Sequence, residues 1–222
     1  MSDQIGIIDK LVSKYDKTPA IKILLQFIPI GSAFNTWLQH QANKIKSDRL
    51  KVFFEELASG KQTLSEEVIK QEDFLHAFFC TTNAAINTRR KEKIKLFAKL
   101  LNNSFNPELH VKNDEYEELL SILDGLSLRE FKVLHQLKLY EDLHPIQDGQ
   151  DTLKNAEKYW DLFKNSATNE FDIPKESFNA FMSRTERSGL YLRITGYFDN
   201  TKNMGRTTPL LDRLIKLIEL SK

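Results

Sequence analysis

The chain has 222 residues and a formal net charge of +1, with 41% hydrophobic and 28% charged residues. That balance is ordinary for a globular protein, and it excludes both a disordered chain and a nucleic-acid binder that depends on a large overall basic excess. Glycine (8 residues) and proline (6 residues) are scarce, which excludes a turn-rich all-β fold and favours long helices.

Two features of the sequence indicate the compartment. Cys80 is the one cysteine, so the chain cannot form an internal disulfide, and this fits a reducing environment. The N-terminal segment, MSDQIGIIDKLVSKYDK, lacks the basic and then apolar pattern of a signal peptide. We therefore expect a cytoplasmic protein.

The most apolar stretch covers residues 20–38. It is at the short end of what crosses a bilayer, and Pro29 and Gly31 would interrupt a helix near its middle. We expect a buried helical hairpin here, with shallow membrane association as the alternative. The residues expected to contact a membrane or a partner are Phe27, Ile28 and Ile30.

Apolar residues at helical spacing continue through the N-terminal half. The predicted helices are 32–59, ending at Gly60, then 72–86, and then one that has Thr88 as its cap and runs to Leu101. The polar run Asn102–Asn103–Ser104 is expected to end the last of these.

A capping box marks a helix start in the C-terminal half. Ser127 and Glu130 form the S-x-x-E pattern, in which each side chain accepts a hydrogen bond from the other residue's backbone N–H. Gly125 is expected to close the preceding helix. Residues 142–151 indicate a loop, and residues 152–165 a single helix.

The last part of the chain contains the one predicted strand region. A helix is predicted from Pro174 to Gly189, where glycine allows a sharp turn into a strand at 190–198. A polar turn at 199–206 follows. Thr208 and Pro209 then predict the start of a final helix.

Together these elements predict a mainly α fold. An N-terminal helical bundle (1–112) precedes a winged-helix-like α+β module (113–222), which has a small β-hairpin near 190–206. Three segments carry the winged-helix-like pattern: L-S-x-x-E-F-x-V-L from Leu126, E-R-S-G-L before the strand, and T-T-P-L-L-D-R-L after the hairpin.

Parts of this pattern resemble bacterial helical proteins with a winged-helix-like C-terminus, among them the Abi-alpha type of abortive-infection proteins. The segment F-A-K-L-L-N-N (97–103) precedes a short helix and an I-L-x-x-L-S-x-x-E step (122–130). The run I-P-I-G-S-A-F-N (28–35) and a K-x-x-R-L-x-x-F helix resemble other bacterial chains. The resemblance covers about two thirds of the chain and implies a role in defence against phage. It implies no catalytic residue.

One group of polar residues in the sequence has a spacing that could place metal ligands on a single helical face. Phosphate-binding glycine loops, paired cysteines and the H-E-x-x-H pattern are absent from the sequence. Glu72, His76 and Cys80 share one helical face, but a metal would need further ligands, and phenylalanines among them favour a helix packed on an aromatic core. We therefore predict no catalytic residue, no metal and no cofactor.

Two groups of basic residues indicate surfaces for partners. A patch for an anionic partner, with a solvated face as the simpler interpretation, comprises Arg89, Arg90, Lys91 and Lys93. A surface for nucleic acid or a protein partner, on the predicted recognition helix, strand and wing, comprises Lys175, Arg184, Arg187, Arg193, Lys202 and Arg206.

Mixed charge on this second surface favours protein over DNA, because Glu176, Glu186 and Asp199 dilute its basic character. We expect a non-enzymatic interaction or regulatory protein with a protein partner or a homo-oligomer. The first alternative is a winged-helix regulator that binds DNA. The second is a membrane-associated effector that acts through residues 20–38 by peripheral contact.

Overall fold

A computed structural model describes residues 19–27, 42–60, 64–146, 151–194 and 203–219. This part of the chain is mainly helical, as predicted, and carries a small two-stranded antiparallel sheet near the C-terminus. The described α-helices of the first half are α1 (Pro19–Phe27), α2 (Ala42–Ser59), α3 (Glu66–Ile69), α4 (Glu72–Asn87), α5 (Lys91–Ser104) and α6 (Asn113–Gly125). The later elements are α7 (Leu128–Leu143), α8 (Thr152–Glu157), α9 (Trp160–Glu170), α10 (Phe178–Glu186), β1 (Tyr191–Arg193), β2 (Gly205–Thr207) and α11 (Pro209–Glu219). Single 3₁₀ turns lie at Pro107–Leu109 and Lys175–Ser177.

The chain divides into two compact units. The N-terminal unit is Met1–Leu123 with Leu217–Lys222, and the C-terminal unit is Asp124–Lys216. The sequence-based division between residues 112 and 113 lies at the start of α6, whereas the compact units divide near the end of that helix.

Aromatic rings form the centre of the N-terminal unit. Phe53 and Phe54 are fully buried on α2, with ring centroids 5.5 Å apart in an edge-to-face arrangement. Phe78 of α4 lies 6.4 and 6.2 Å from them, and Phe74 stacks on Phe78. Edge-to-face and offset rings are the favourable arrangements for such pairs. The core is completed by α5, whose Phe97 is also fully buried.

Two predicted helix boundaries in this unit are wrong. Thr88 is the C-cap of α4, while Arg90 precedes α5 without a side-chain capping bond. The run 102–104 does not end α5 but belongs to it, because these polar side chains are buried. Asn103 Nδ2 donates to the carbonyl of Leu217 at 2.5 Å. One of the polar side chains that predicted a turn therefore has a hydrogen-bond partner elsewhere in the unit. The first ten residues of the predicted helix 32–59 lie outside the described ranges, and its end at Ser59 is confirmed.

The C-terminal unit begins with the predicted capping box. Ser127 Oγ accepts from the Glu130 N–H at 3.1 Å, and Glu130 Oε2 accepts from the Ser127 N–H at 2.7 Å. Gly125 is the last residue of α6 and not a left-handed stop beyond it. The predicted helix 152–165 breaks between α8 and α9, where Tyr159 leaves helical geometry at φ −127° and ψ −13°.

The last described elements are α10, the β1–β2 hairpin and α11. Gly189, at φ +70°, ends the turn after α10, as the sequence predicted. β1 and β2 pair antiparallel with Tyr191 opposite Thr207 and Arg193 opposite Gly205. The prediction of a turn through residue 206 is therefore wrong for Gly205 and Arg206, which are strand residues; residues 195–202 lie outside the described ranges.

Candidate functional site

The predicted partner surface of the C-terminal unit is distributed over α10 and the hairpin. Lys175 is exposed in the 3₁₀ turn, Arg184 lies in α10, and Arg187 is the C-cap of α10. Arg193 ends β1 and Arg206 lies in β2. Lys202 lies outside the described residues. All five described side chains of this set, those of Lys175, Arg184, Arg187, Arg193 and Arg206, are exposed.

The two α10 arginines are bound to one buried carboxylate. Arg184 Nε lies 2.7 Å from Glu130 Oε1, and Arg187 Nη2 lies 3.6 Å from the same oxygen. Arg187 also donates to the carbonyl of Gly125 at 3.1 Å. The Glu130 side chain is only 2% exposed, whereas the two arginines are half-exposed. Both arginines therefore supply the charge that a buried carboxylate requires, and Arg184 also supplies a hydrogen bond.

The capping box and the arginines together set the protonation of Glu130. Burial of the carboxyl acts to raise its pKa, but hydrogen bonds from Ser127 and from Arg184 outweigh burial, so the pKa lies below its ordinary value. Glu130 is consequently ionised at neutral pH. One carboxylate then caps α7 with one oxygen and holds α10 with the other.

The remaining basic residues of this surface differ among themselves. Arg193 pairs with Glu186 at 3.4 Å and donates to the hydroxyl of Ser183. Within the described residues, Lys175 and Arg206 form no ion pair. In the described part of this predicted partner surface, three arginines are thus ion-paired within the C-terminal unit, whereas Lys175 and Arg206 are not.

The basic patch of the N-terminal unit lies where α5 begins. Arg89, Arg90 and Lys91 are exposed, and the Arg90 carbonyl accepts from the N–H groups of Lys93 and Ile94. Lys93 extends over the ring of Phe97, with Nζ 5.5 Å from the ring centroid. Three exposed cations at a helix N-terminus oppose the helix dipole, which makes the patch attractive to an anion.

The Glu72, His76 and Cys80 constellation is only partly assembled. Cys80 Sγ lies 3.6 Å from His76 Nε2, and the same nitrogen lies 3.3 Å from Glu117 Oε1. Burial and then the charge of Glu117 raise the pKa of the Cys80 thiol, which disfavours the reactive thiolate. No group of three metal-ligating side chains occurs in the described part of the chain.

Sequence reasoning missed a polar cluster between α7, β2 and α11. Glu141 Oε1 accepts from the Thr207 N–H at 2.8 Å, and the Thr207 hydroxyl donates to the same carboxylate. Lys138 Nζ lies 2.9 Å from Asp142 Oδ1 and 3.0 Å from Asp212 Oδ1. The Lys138–Asp142 pair has helical i, i+4 spacing and was visible in the sequence. The other contacts join residues remote in the chain.

The membrane prediction concerns residues that are mostly outside the description. Phe27 is the last residue of α1, but its side chain is not described, and Ile28 and Ile30 lie outside the described residues. In the ranges that the structure covers, no helix has the length and apolar character needed to span a bilayer.

Comparisons with known proteins identify no relative. No family model matches the chain, and neither a curated protein nor a solved structure matches it.

Proposed function

We propose that this chain is a non-enzymatic interaction protein whose C-terminal unit is a winged-helix-like module used for contact with another protein. The order of its elements supports the module: α7, then α9 and α10, then the β1–β2 hairpin, and finally α11. In a winged helix, α10 would correspond to the recognition helix and the hairpin to the wing.

The observation that carries the proposal is the engagement of the α10 arginines by Glu130. A recognition helix binds DNA through basic side chains that are free to meet phosphates and bases. Arg184 and Arg187 instead bind a buried carboxylate of their own unit, and Arg193 binds Glu186. A phosphate would have to compete with these acids, which favours protein as the partner.

Exposed apolar side chains on α7 support the same conclusion. Leu139 and Leu143 are 50% and 75% exposed, and their i, i+4 spacing places them side by side on one helix face. Adjacent exposed leucines are typical of surfaces that another protein covers.

The interaction proposal is tested by sedimentation equilibrium of the purified chain and by affinity purification from its native cell. We expect a homo-oligomer or a stoichiometric protein partner, lost in a Leu139→Asp/Leu143→Asp variant. Leu162→Asp, at a position 61% exposed on α9, is the matched control and should retain the complex. A monomer that captures no partner contradicts the proposal.

DNA binding is the second candidate, and the unpaired cations Lys175 and Arg206 favour it. Anisotropy of a labelled DNA duplex at low salt distinguishes the two functions. We expect no binding by the native chain, and weak salt-dependent binding by Glu130→Gln, which frees both arginines for phosphate. Salt-dependent binding by the native chain that Arg206→Gln weakens would replace the protein-contact proposal with the DNA-binding one.

The biological setting that we propose is defence against phage, supported only by the resemblance to the Abi-alpha type of proteins. A host strain that carries the gene should form fewer phage plaques than a strain with the gene deleted. Equal plaque numbers over a broad panel of phages would contradict this setting without affecting the proposed protein contact.

A further inference from the structure

A cavity of about 380 Å³ lies in the C-terminal unit beside the polar cluster described above. It is bounded by the end of α7 and the three residues after it, the beginning of α8, strand β2 and the beginning of α11. Its volume lies within the range of sites that hold small ligands. The less polar lining residues include His144, Pro145, Ile146 and Tyr159. The charged lining residues are Lys138, Glu141, Asp142, Arg206 and Asp212.

The hydroxyl of Tyr159 is available to a ligand in this cavity. Tyr159 is only 3% exposed and lines the cavity, with its ring 5.4 Å from that of His144. No residue in the described ranges forms a hydrogen bond with the Tyr159 hydroxyl. The ring is buried but the hydroxyl is open to the cavity, so a ligand can form a hydrogen bond with it in place of solvent.

The charges around the cavity select the sign of the ligand. Three carboxylates face two cations, which leaves one negative charge. Lys138 is already shared between Asp142 and Asp212, and Thr207 binds Glu141. Each carboxylate still has unused lone pairs, since an ionised carboxylate offers about four acceptor sites.

We propose that this cavity binds an organic cation, namely an ammonium or guanidinium group on a short carbon chain. The charged end lies among Glu141, Asp212 and the Tyr159 hydroxyl, and the carbon chain lies against Pro145 and Ile146. Free alkylamines and the lysine or arginine side chain of a protein share this chemistry. The site does not depend on the proposed protein contact of α7.

The first test titrates the ¹⁵N-labelled full chain with butylamine, butylguanidine and butyrate and follows the amide signals by NMR. The Thr207 amide is the reporter because it donates directly to Glu141. Saturable shifts of the Thr207 signal with butylamine or butylguanidine, but not with butyrate, support the proposal. Equal shifts with butyrate, or no saturable shift with either cation, overturn it.

Charge variants give a second and independent test. We expect Glu141→Gln and Asp212→Asn each to weaken cation binding about tenfold, as the loss of one charge from a partly solvated site implies. Arg206→Gln removes a like charge and should strengthen binding about threefold. Asp161→Asn, at an exposed α9 position outside the cavity, is the matched control. Folding of each variant is checked by its amide spectrum, and the opposite signs of the Asp212 and Arg206 effects keep the test decisive if Glu141→Gln fails to fold.

Two further titrations distinguish the sources of the cation. A capped peptide with a single lysine competes with butylamine if the site receives a protein side chain, whereas spermidine alone competes if it receives a free polyamine. Competition by either one supports an organic-cation site. If neither competes at concentrations at which butylamine saturates the cavity, the proposal that the cavity binds a natural organic cation is overturned.

Discussion

The two units bury polar groups of different kinds. In the described N-terminal unit, the buried polar side chains are uncharged, such as Thr81, Asn102 and Asn103, and they lie beside a core of aromatic rings. The C-terminal unit also contains packed aromatic rings, but it buries the carboxylate of Glu130 and partly buries that of Glu141. The comparable carboxylate of the described N-terminal unit, that of Glu56, is 15% exposed and pairs with Lys95 and Lys99. Both units therefore combine aromatic packing with ion pairs, and the C-terminal unit buries its carboxylate more deeply.

Truncation of the aromatic core should have the largest effect. Phe78→Ala removes a fully buried ring that contacts Phe53, Phe54 and Phe74, so we expect a loss of about 4 kcal/mol in the free energy of unfolding. Urea unfolding followed by circular dichroism measures it. The neighbouring Phe79→Ala is the control, because Phe79 is 44% exposed and should cost well under half as much. Equal losses would show that packing in this core is not specific.

Neutralisation of Glu130 should have the next largest effect. Glu130→Gln retains a side-chain acceptor for the Ser127 N–H but loses the charge that holds Arg184 and Arg187. We expect a loss of about 2 kcal/mol, in the range of hydrogen bonds to charged groups and reduced by the half-exposure of the arginines. Glu157→Gln, at an exposed position of α8, is the matched control. A variant as stable as the native chain would refute the role assigned to the arginines.

Removal of the other half of the capping box should cost less. Ser127→Ala leaves the Glu130 N–H without its acceptor, and we expect about 1 kcal/mol of destabilisation. The exposed Ser121, within α6, supplies the control, because Ser121→Ala places a better helix former in a helix interior and should be neutral or slightly stabilising. The same urea titration measures both variants.

Much of this architecture could be predicted from local sequence signals. The capping box, the helix after it, the left-handed Gly189 and the aromatic cores all follow from residue types at short spacing. Contacts between remote residues could not be predicted: Arg184 binds Glu130 across 54 positions, and Thr207 binds Glu141 across 66. The same limit contributes to the error at residues 102–104, because the buried Asn103 side chain finds its acceptor in the distant carbonyl of Leu217.

The α7 carboxylates of Glu130 and Glu141 should respond to pH in opposite directions, which is the smallest expected effect. The pKa of Glu130 is lowered in the folded chain, so its stabilisation is present above the unfolded pKa, about 4.3, and is lost as pH falls through the folded value. Burial raises the pKa of Glu141 despite the hydrogen bonds from Thr207, so its contribution is present below the unfolded pKa and is lost as pH rises through the folded value.

Urea unfolding between pH 3 and 7, values chosen to span the ordinary glutamate pKa of about 4.3, separates the two effects. Relative to the native chain, Glu130→Gln should lose less stability on acidification, and Glu141→Gln should lose less as the pH rises towards neutrality. Parallel curves for all three proteins would show that neither carboxylate contributes to the pH dependence of folding.

The double use of Glu130 has a consequence for motion. One oxygen of Glu130 binds the first turn of α7 and the other binds α10. Fraying of the start of α7 and detachment of α10 therefore both break contacts of the same side chain. A helix terminus ordinarily opens alone and exchanges its amide hydrogens rapidly. Here the Ser127 amide hydrogen should exchange with solvent in step with those of α10, which makes the two segments one cooperative unit.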